Sequence, residues 1–193
     1  MRSNDDECVP VPLDVGFTVS EDGFSSASTS LLKTFINEFP IGVTWDVISV
    51  DALDRKRKSL GPDQDFAFVV NLDRSHQSGS HFVAIYKKGQ ELFYLDPLKL
   101  NCFRWPDVPK FIRSFPDSRC WQLKKPVQDP KSWFCGYFAL FYIYAIYNET
   151  AALDFIPLST QALQLNNCRV LKNLGKVMNF YWEKKHRRFK NNV

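Results

Sequence analysis

The hydrophobic pattern of this chain begins with a helical repeat and continues with strand-like runs. Apolar side chains recur at helical spacing in LLKTFINEF (31–39), with Ser30 as the candidate N-cap and Pro40 after the last turn. Runs dense in aromatic and β-branched residues then predict strands at 66–72, 81–86 and 91–96. The last two runs flank KKGQ, a short turn sequence with a glycine, and therefore predict a β-hairpin.

The second half of the chain returns mainly to helices. The pattern predicts a short helix at 107–115, a further strand at 120–125, and an apolar helix from residue 132 or 133 to 147. A last helix is predicted over 167–184. A helix, a block of strands and further helices indicate a single α+β domain spanning 1–193. We expect a mostly antiparallel sheet packed against the apolar helix.

The two ends of the chain differ from this centre. Residues 1–28 combine prolines, glycines and a serine-rich stretch, which predicts a weakly structured arm. Residues 184–193 form a basic tail. The net charge of +4 does not itself imply nucleic acid, so this tail is either solvated surface or a contact for phosphates or another anionic partner. An apolar content of 45% and a charged content of 24% indicate a globular protein.

The cysteines argue against a zinc knuckle, because none of them belongs to a CxxC pair, and we expect no metal. There are five, at positions 8, 102, 120, 135 and 168. The first residues lack the apolar stretch of a secretory signal, so we expect free thiols, a reducing compartment and no secretion. The longest apolar run, 133–147, is shorter than the about 20 residues needed to cross a bilayer and predicts a buried core helix.

Cys135 is the candidate nucleophile, because it stands at the start of the apolar helix. The positive end of a helix dipole stabilises a thiolate. Gly136 follows directly and is expected to leave room for a substrate backbone. A lone cysteine in an apolar helix is more often structural, so the hypothesis depends on its partners. Thiol catalysis also needs a base, a group that orients the base, and donors for an oxyanion.

The candidate base is one of only three histidines. His81 opens a predicted strand, which fixes a side chain better than a loop does. His76 lies in a polar loop and is the second choice, whereas His186 belongs to the basic tail and is expected to be solvated.

The candidate orienter and oxyanion donor come from the segments that flank the predicted strands. Asp96 closes the second strand of the hairpin, which puts its carboxylate at the same open end as His81. Gln128 lies seven residues before Cys135, and its side-chain amide would join the Cys135 N–H as an oxyanion donor.

In the order His–acid–Gln–Cys, these segments resemble the adenain-like (adenovirus protease-type) cysteine peptidases and the related ubiquitin-like-protein proteases. FVVNLDRSHQSGSHFVAIY, ELFYLDP and VQDPKSWFCGYFALFY are similar to the segments that carry the histidine, the acid and the Gln–Cys pair, and LNNCRVLKNLGKVMNFYWEKK resembles the last helix. Over 65–187, the resemblance implies a papain-like fold with His81 as base, Asp96 as orienter, Cys135 as nucleophile and Gln128 in the oxyanion hole. Phe82 departs from the family, which usually has tryptophan after the histidine, and an aspartate as the acid is more typical of the ubiquitin-like-protein branch.

The resemblance further implies a cysteine endopeptidase that processes capsid or core precursors of a virus or virus-like element during virion maturation, cutting beside small residues such as glycine. It implies activation by a capsid-derived peptide and by DNA, with Cys120 in a segment similar to the one that bears the peptide-pairing cysteine. We expect a monomer that acts in the virion and host nucleus or in the cytoplasm, without a membrane partner. A protease of ubiquitin or a ubiquitin-like modifier is the alternative, and a non-catalytic capsid- or DNA-binding protein is the alternative of another class.

Overall fold

The computed structural model of the protein describes residues 27–38, 41–77, 79–147, 163, 166, 167, 169, 170 and 174. The predicted arm, apart from its last two residues, the basic tail and most of the predicted helix at 167–184 lie outside the described residues.

A five-stranded sheet forms the centre of the described region, with its strands in chain order across the sheet. The strands are β1 (Thr44–Ser49), β2 (Phe66–Asn71), β3 (Phe82–Lys88), β4 (Glu91–Leu95) and β5 (Arg119–Gln122). The α-helices are α1 (Thr29–Glu38), α2 (Leu53–Ser59), α3 (Asp107–Arg113) and α4 (Cys135–Tyr147). Short 3-10 turns cover Val50–Ala52 and Cys102–Arg104. The predicted hairpin is confirmed, since β3 and β4 are antiparallel neighbours.

The α+β prediction is confirmed, but the sheet is mixed rather than mostly antiparallel. The pairs β2–β3 and β3–β4 are antiparallel, whereas β1–β2 and β4–β5 are parallel. The reason lies in the connections, because α2 separates β1 from β2 and α3 separates β4 from β5. A crossover that contains a helix returns the chain to the same end of the sheet, so the next strand runs parallel.

Two elements were absent from the sequence prediction, and both have few buried positions. β1 carries Asp46 and buries only Val47 and Ile48 fully, so it lacks the dense apolar run of a central strand. α2 is largely charged and buries only Leu53. Both elements pack on a sheet whose position depends on the rest of the fold.

Hydrophobic cores lie on both faces of the sheet. Along β2, Phe66, Phe68 and Val70 face the core shared with α3, as expected from the alternation of side chains in a strand. Ala67 and Val69 face the opposite core, which contains α1 and α4. Because both faces are covered, β2 reads as an unbroken apolar run instead of an alternating one.

Candidate active site

The β3–β4 hairpin brings a buried imidazole and a buried carboxylate together at its open end. His81 Nε2 lies 2.7 Å from Asp96 Oδ1. Both residues are buried, with 5% of His81 and 2% of Asp96 exposed. The His81 carbonyl accepts a hydrogen bond of 2.8 Å from the Leu72 N–H, which ties the start of β3 to the end of β2. The side chains therefore meet where the strands themselves are anchored.

Asp96 is held by its own turn as well as by His81. Its Oδ1 accepts a hydrogen bond of 2.9 Å from the Leu98 N–H, and its Oδ2 accepts one of 2.9 Å from the Leu100 N–H. These donors satisfy an ionised carboxylate and fix its orientation. Because the carboxylate accepts at His81 Nε2, the proton of the ring stays on Nε2, and Nδ1 is the nitrogen that can accept a proton from another group.

The environment of His81 favours its protonated form. Burial alone would lower the pKa of His81, but the hydrogen bond with Asp96 and the interaction with Cys135 outweigh it and raise that pKa to about 9. His81 Nδ1 is buried and has no hydrogen-bond partner, so it is available to a proton from the thiol. The ring thus stands between a carboxylate and a thiol, as required of a base that takes a proton from the thiol.

Stability should fall as the pH rises through 9, because folding raises the pKa of His81 above its ordinary value of 6.5. The contribution is complete below about pH 6.5, amounts to about 3 kcal/mol, and is lost as His81 deprotonates in the folded state. Urea denaturation from pH 6 to pH 10, compared between wild type and His81→Gln, measures it. Parallel stability curves for the two proteins would contradict the assignment.

Cys135 is the first residue of α4. The first helical hydrogen bond runs from the Phe138 N–H to the Phe134 carbonyl at 3.1 Å, so the Cys135 N–H precedes the region of intrahelical bonding. The thiol is buried, with 6% of the residue exposed, and it reaches an open cleft of about 840 Å³. The described residues that line this cleft are Ala27, Ser28, Thr29, Ser30, Lys33, Gly79, Ser80, Phe82, Trp133 and Cys135.

Gly136 corrects a detail of the sequence analysis, since it serves helix packing instead of leaving space for a substrate. A Cβ atom on Gly136 would lie 2.7 Å from Ala27 Cβ and 3.0 Å from Leu32 Cδ1. The missing side chain therefore lets the N-terminal end of α1 lie directly against the start of α4. This contact forms one wall of the cleft beside Cys135.

Gly136→Ala should destabilise the protein by about 1–2 kcal/mol, because overpacking outweighs the better helix propensity of alanine. Urea denaturation at neutral pH measures the loss. Gly61→Ala is the matched control, because a Cβ there meets its nearest neighbour, Gln64 Cβ, at an ordinary 3.7 Å. Equal stabilities for the two variants would show that α1 adjusts freely to the added methyl group.

Gln128 lies fully buried in the loop that leads to Cys135. Its backbone N–H donates to the Pro97 carbonyl at 3.1 Å, and the Val127 N–H donates to the same oxygen at 2.9 Å. The side-chain Nε2 donates to the Ser132 carbonyl at 2.9 Å, which leaves its second hydrogen for another acceptor. The loop is thus anchored on the turn that follows Asp96. The oxyanion role of Gln128 stays a prediction.

The other candidates lie away from this cluster. His76 is exposed in the loop after β2, and His186 lies outside the described residues. Cys120 is exposed on β5, the last strand of the sheet. Within the part of the chain that the structure describes, no group of three or more His, Cys, Asp or Glu side chains is placed to hold a metal ion. Likewise, none of the described helices has the length and hydrophobicity to span a bilayer.

The comparisons with known proteins give a limited likeness to solved structures. No protein-family model matches the chain, and no curated protein matches it. HopZ1a in complex with IP6 is similar at a TM-score of 0.42 and 15% identity, over 72% of this chain and 51% of that chain. AvrA delL154 with IP6 and CoA is similar at a TM-score of 0.39 and 15% identity, over 74% and 53%. This chain therefore spans about half the length of these two solved structures.

Sequence reasoning missed the residues that shape the cleft. Trp133 is 69% exposed and lies on the cleft two positions before the thiol. Residues 27–30 also line the cleft, and they come from more than 100 residues earlier in the chain. In the sequence, a tryptophan two positions before the candidate nucleophile was a usable signal for the part of the cleft that Trp133 lines. The position of residues 27–30 depends on the packing of α1 against α4, and the only indication of that packing near Cys135 in the sequence was Gly136.

Proposed function

We propose that this protein is a cysteine-type endopeptidase whose nucleophile is Cys135. The observation that carries the proposal is the buried His81 imidazole, held at 2.7 Å by the Asp96 carboxylate on one side and interacting with the Cys135 thiol at the start of α4. A buried acid–imidazole pair beside a thiol that opens onto a cleft is the set of groups that acyl transfer requires.

The proposed mechanism uses each group once in each half-reaction. His81 Nδ1 takes the proton of Cys135, and the resulting thiolate attacks the scissile carbonyl carbon. The Cys135 N–H and the second hydrogen of Gln128 Nε2 donate to the oxyanion. His81 then returns its proton to the leaving amine as the C–N bond breaks, which leaves a thioester on Cys135. Water, deprotonated by His81, attacks the thioester carbon. The C–S bond breaks, the carboxylic acid product leaves, and His81 returns the proton to Cys135.

The proposed substrates are capsid or core precursor proteins of a virus or virus-like element, cut beside small residues such as glycine in the virion and host nucleus or in the cytoplasm. The order His–acid–Gln–Cys supports this choice, since it matches the adenain-like pattern over 65–187. The cleft is open, and its lining includes Trp133, Cys135 and Ser28, which leaves room for an extended polypeptide beside the thiol.

An activating peptide and DNA are part of the same proposal. The position of Cys120 supports an activating peptide. Cys120 is exposed on β5, the last strand of the sheet among the described residues, where an extended chain can add as a further strand. The basic residues at 184–193 support activation by DNA, because their positive charges suit phosphate groups. The activity is measured with and without a cysteine-containing peptide, and with and without DNA at low salt. If neither increases the activity, both cofactor proposals are wrong, while the peptidase proposal stands.

Three substrates test the function in one experiment. The purified protein is incubated with a glycine-containing capsid-precursor peptide, with a ubiquitin-like modifier fused after its C-terminal Gly-Gly, and with an activated peptide ester. We expect cleavage of the first, no cleavage of the second, and an acyl adduct on Cys135 from the ester, detected by mass spectrometry. Cleavage of the modifier fusion alone would favour the protease of a ubiquitin-like modifier. Absence of any adduct or cleavage would favour a non-catalytic binding protein.

A further inference from the structure

The peptide unit between Val127 and Gln128 is held on both of its polar sides. Its N–H, on Gln128, donates to the Pro97 carbonyl at 3.1 Å. Its C=O, on Val127, accepts a hydrogen bond of 2.7 Å from Asn166 Nδ2. A peptide unit is planar, so two hydrogen bonds on opposite sides prevent it from rotating about the chain. The direction in which Gln128 leaves the backbone is thereby fixed.

Asn166 occupies a position that would otherwise suit an apolar residue. It is helical and fully buried, 39 residues after Val127 in the chain. Val170 and Leu174, four and eight positions later, are also helical and buried, and both belong to the core that contains α4. The three side chains follow the spacing of one helix face. A buried amide on an apolar face is costly unless it is hydrogen-bonded, and one of its partners here is the loop that carries Gln128.

We propose that Asn166 is a positioning residue that holds the Gln128 loop in the geometry needed to bind the oxyanion. This inference rests on the proposed function, because Gln128 acts only when a carbonyl is attacked. Asn166 itself does not touch the substrate. It joins the C-terminal part of the chain to the loop, while Pro97 joins the loop to Asp96.

Asn166→Leu provides the direct test, because leucine has a similar volume and no donor for the Val127 carbonyl. We expect acylation of Cys135 by the activated peptide ester to slow by at least about tenfold, through kcat rather than KM, since a displaced oxyanion donor weakens only the transition state. Alkylation of the same thiol by iodoacetamide forms no oxyanion and should keep its wild-type rate. A purely structural role would reduce both rates together.

Asn166→Asp keeps the test decisive if the leucine variant does not fold. A protonated carboxylic acid can donate to the Val127 carbonyl, whereas a carboxylate repels it. The acylation rate of this variant relative to wild type should therefore be highest at low pH and fall as the pH rises, while its relative alkylation rate stays constant. Asn101→Asp is the matched control, because the exposed Asn101 uses only its oxygen, as an acceptor from the Phe103 N–H.

The outcomes separate this inference from the proposed function. If wild-type protein forms no acyl adduct on Cys135, the peptidase proposal fails first. If wild type is acylated and Asn166→Leu is acylated equally fast, or Asn166→Asp follows the wild-type pH profile, the positioning role of Asn166 is wrong while the peptidase proposal stands.

Discussion

Cys135→Ala should abolish acylation and peptide cleavage, with a loss of about 10⁴-fold or more, because the variant lacks the sulfur atom that forms the thioester beside His81. The variant should stay folded, since it removes a single buried sulfur atom. Intact-protein mass spectrometry after reaction with the activated peptide ester measures the adduct, and cleavage of the precursor peptide measures turnover. Circular dichroism verifies the fold of the variant.

Cys102→Ser and Cys120→Ser are the matched controls, because both remove a free thiol outside the cleft. They should retain the basal activity measured without any activating peptide. Partial burial of the thiol raises the pKa of Cys120, although the residue as a whole is exposed. Continued cleavage by Cys135→Ala would show that the nucleophile lies elsewhere.

Asp96→Asn should lower kcat by about 10²- to 10⁴-fold, because the ring of His81 would lose the carboxylate that sets its tautomer and orientation. The amide has a single acceptor oxygen, whereas the carboxylate accepts from His81, Leu98 and Leu100. At least one buried donor would therefore lose its partner, at about 1–3 kcal/mol of stability. Steady-state kinetics on the precursor peptide and urea denaturation measure the two effects.

The loss of Asp96 should also change how the site titrates. The carboxylate helps to raise the pKa of His81 to about 9, so Asp96→Asn should move the alkaline loss of stability to lower pH. Asp117→Asn, which removes an exposed carboxylate outside the site, is the control and should match wild type in both rate and pH dependence. A wild-type rate for Asp96→Asn would mean that Asp96 only closes a turn.

The hairpin was the most predictable part of the site. Two apolar runs separated by a glycine turn indicate antiparallel neighbours, and counting outwards from the turn puts residues 81 and 96 at the same end. The structure brings these two side chains together at 2.7 Å. The start of the apolar helix was predictable to within two or three residues, because Pro130 and the polar residues before it end the preceding segment, but α4 begins at Cys135 instead of residue 132 or 133. In both cases the deciding information lies within about 16 residues of chain.

Gly136 and Asn166 show where such reasoning stops. A glycine after a candidate nucleophile suggests space for a substrate, but its real neighbours are Ala27 and Leu32, from a helix more than 100 residues earlier. An asparagine in a helical pattern suggests solvent, but Asn166 is fully buried on the loop of Gln128. Both roles depend on which elements pack against each other, and this depends on how well the whole surfaces of those elements fit together.

The amino-acid sequence by itself determined the α+β class, the hairpin and the apolar helix, and it supplied the candidate residues for thiol chemistry, because periods of 2 and about 3.6 residues and short turns act locally. Only the tertiary structure decided that the outer strands pair in parallel, that α1 forms a wall of the cleft, and that the Gln128 loop is held between Pro97 and Asn166. These features arise from contacts between segments far apart in the chain, which form when buried surface and satisfied hydrogen bonds outweigh the entropy of ordering them.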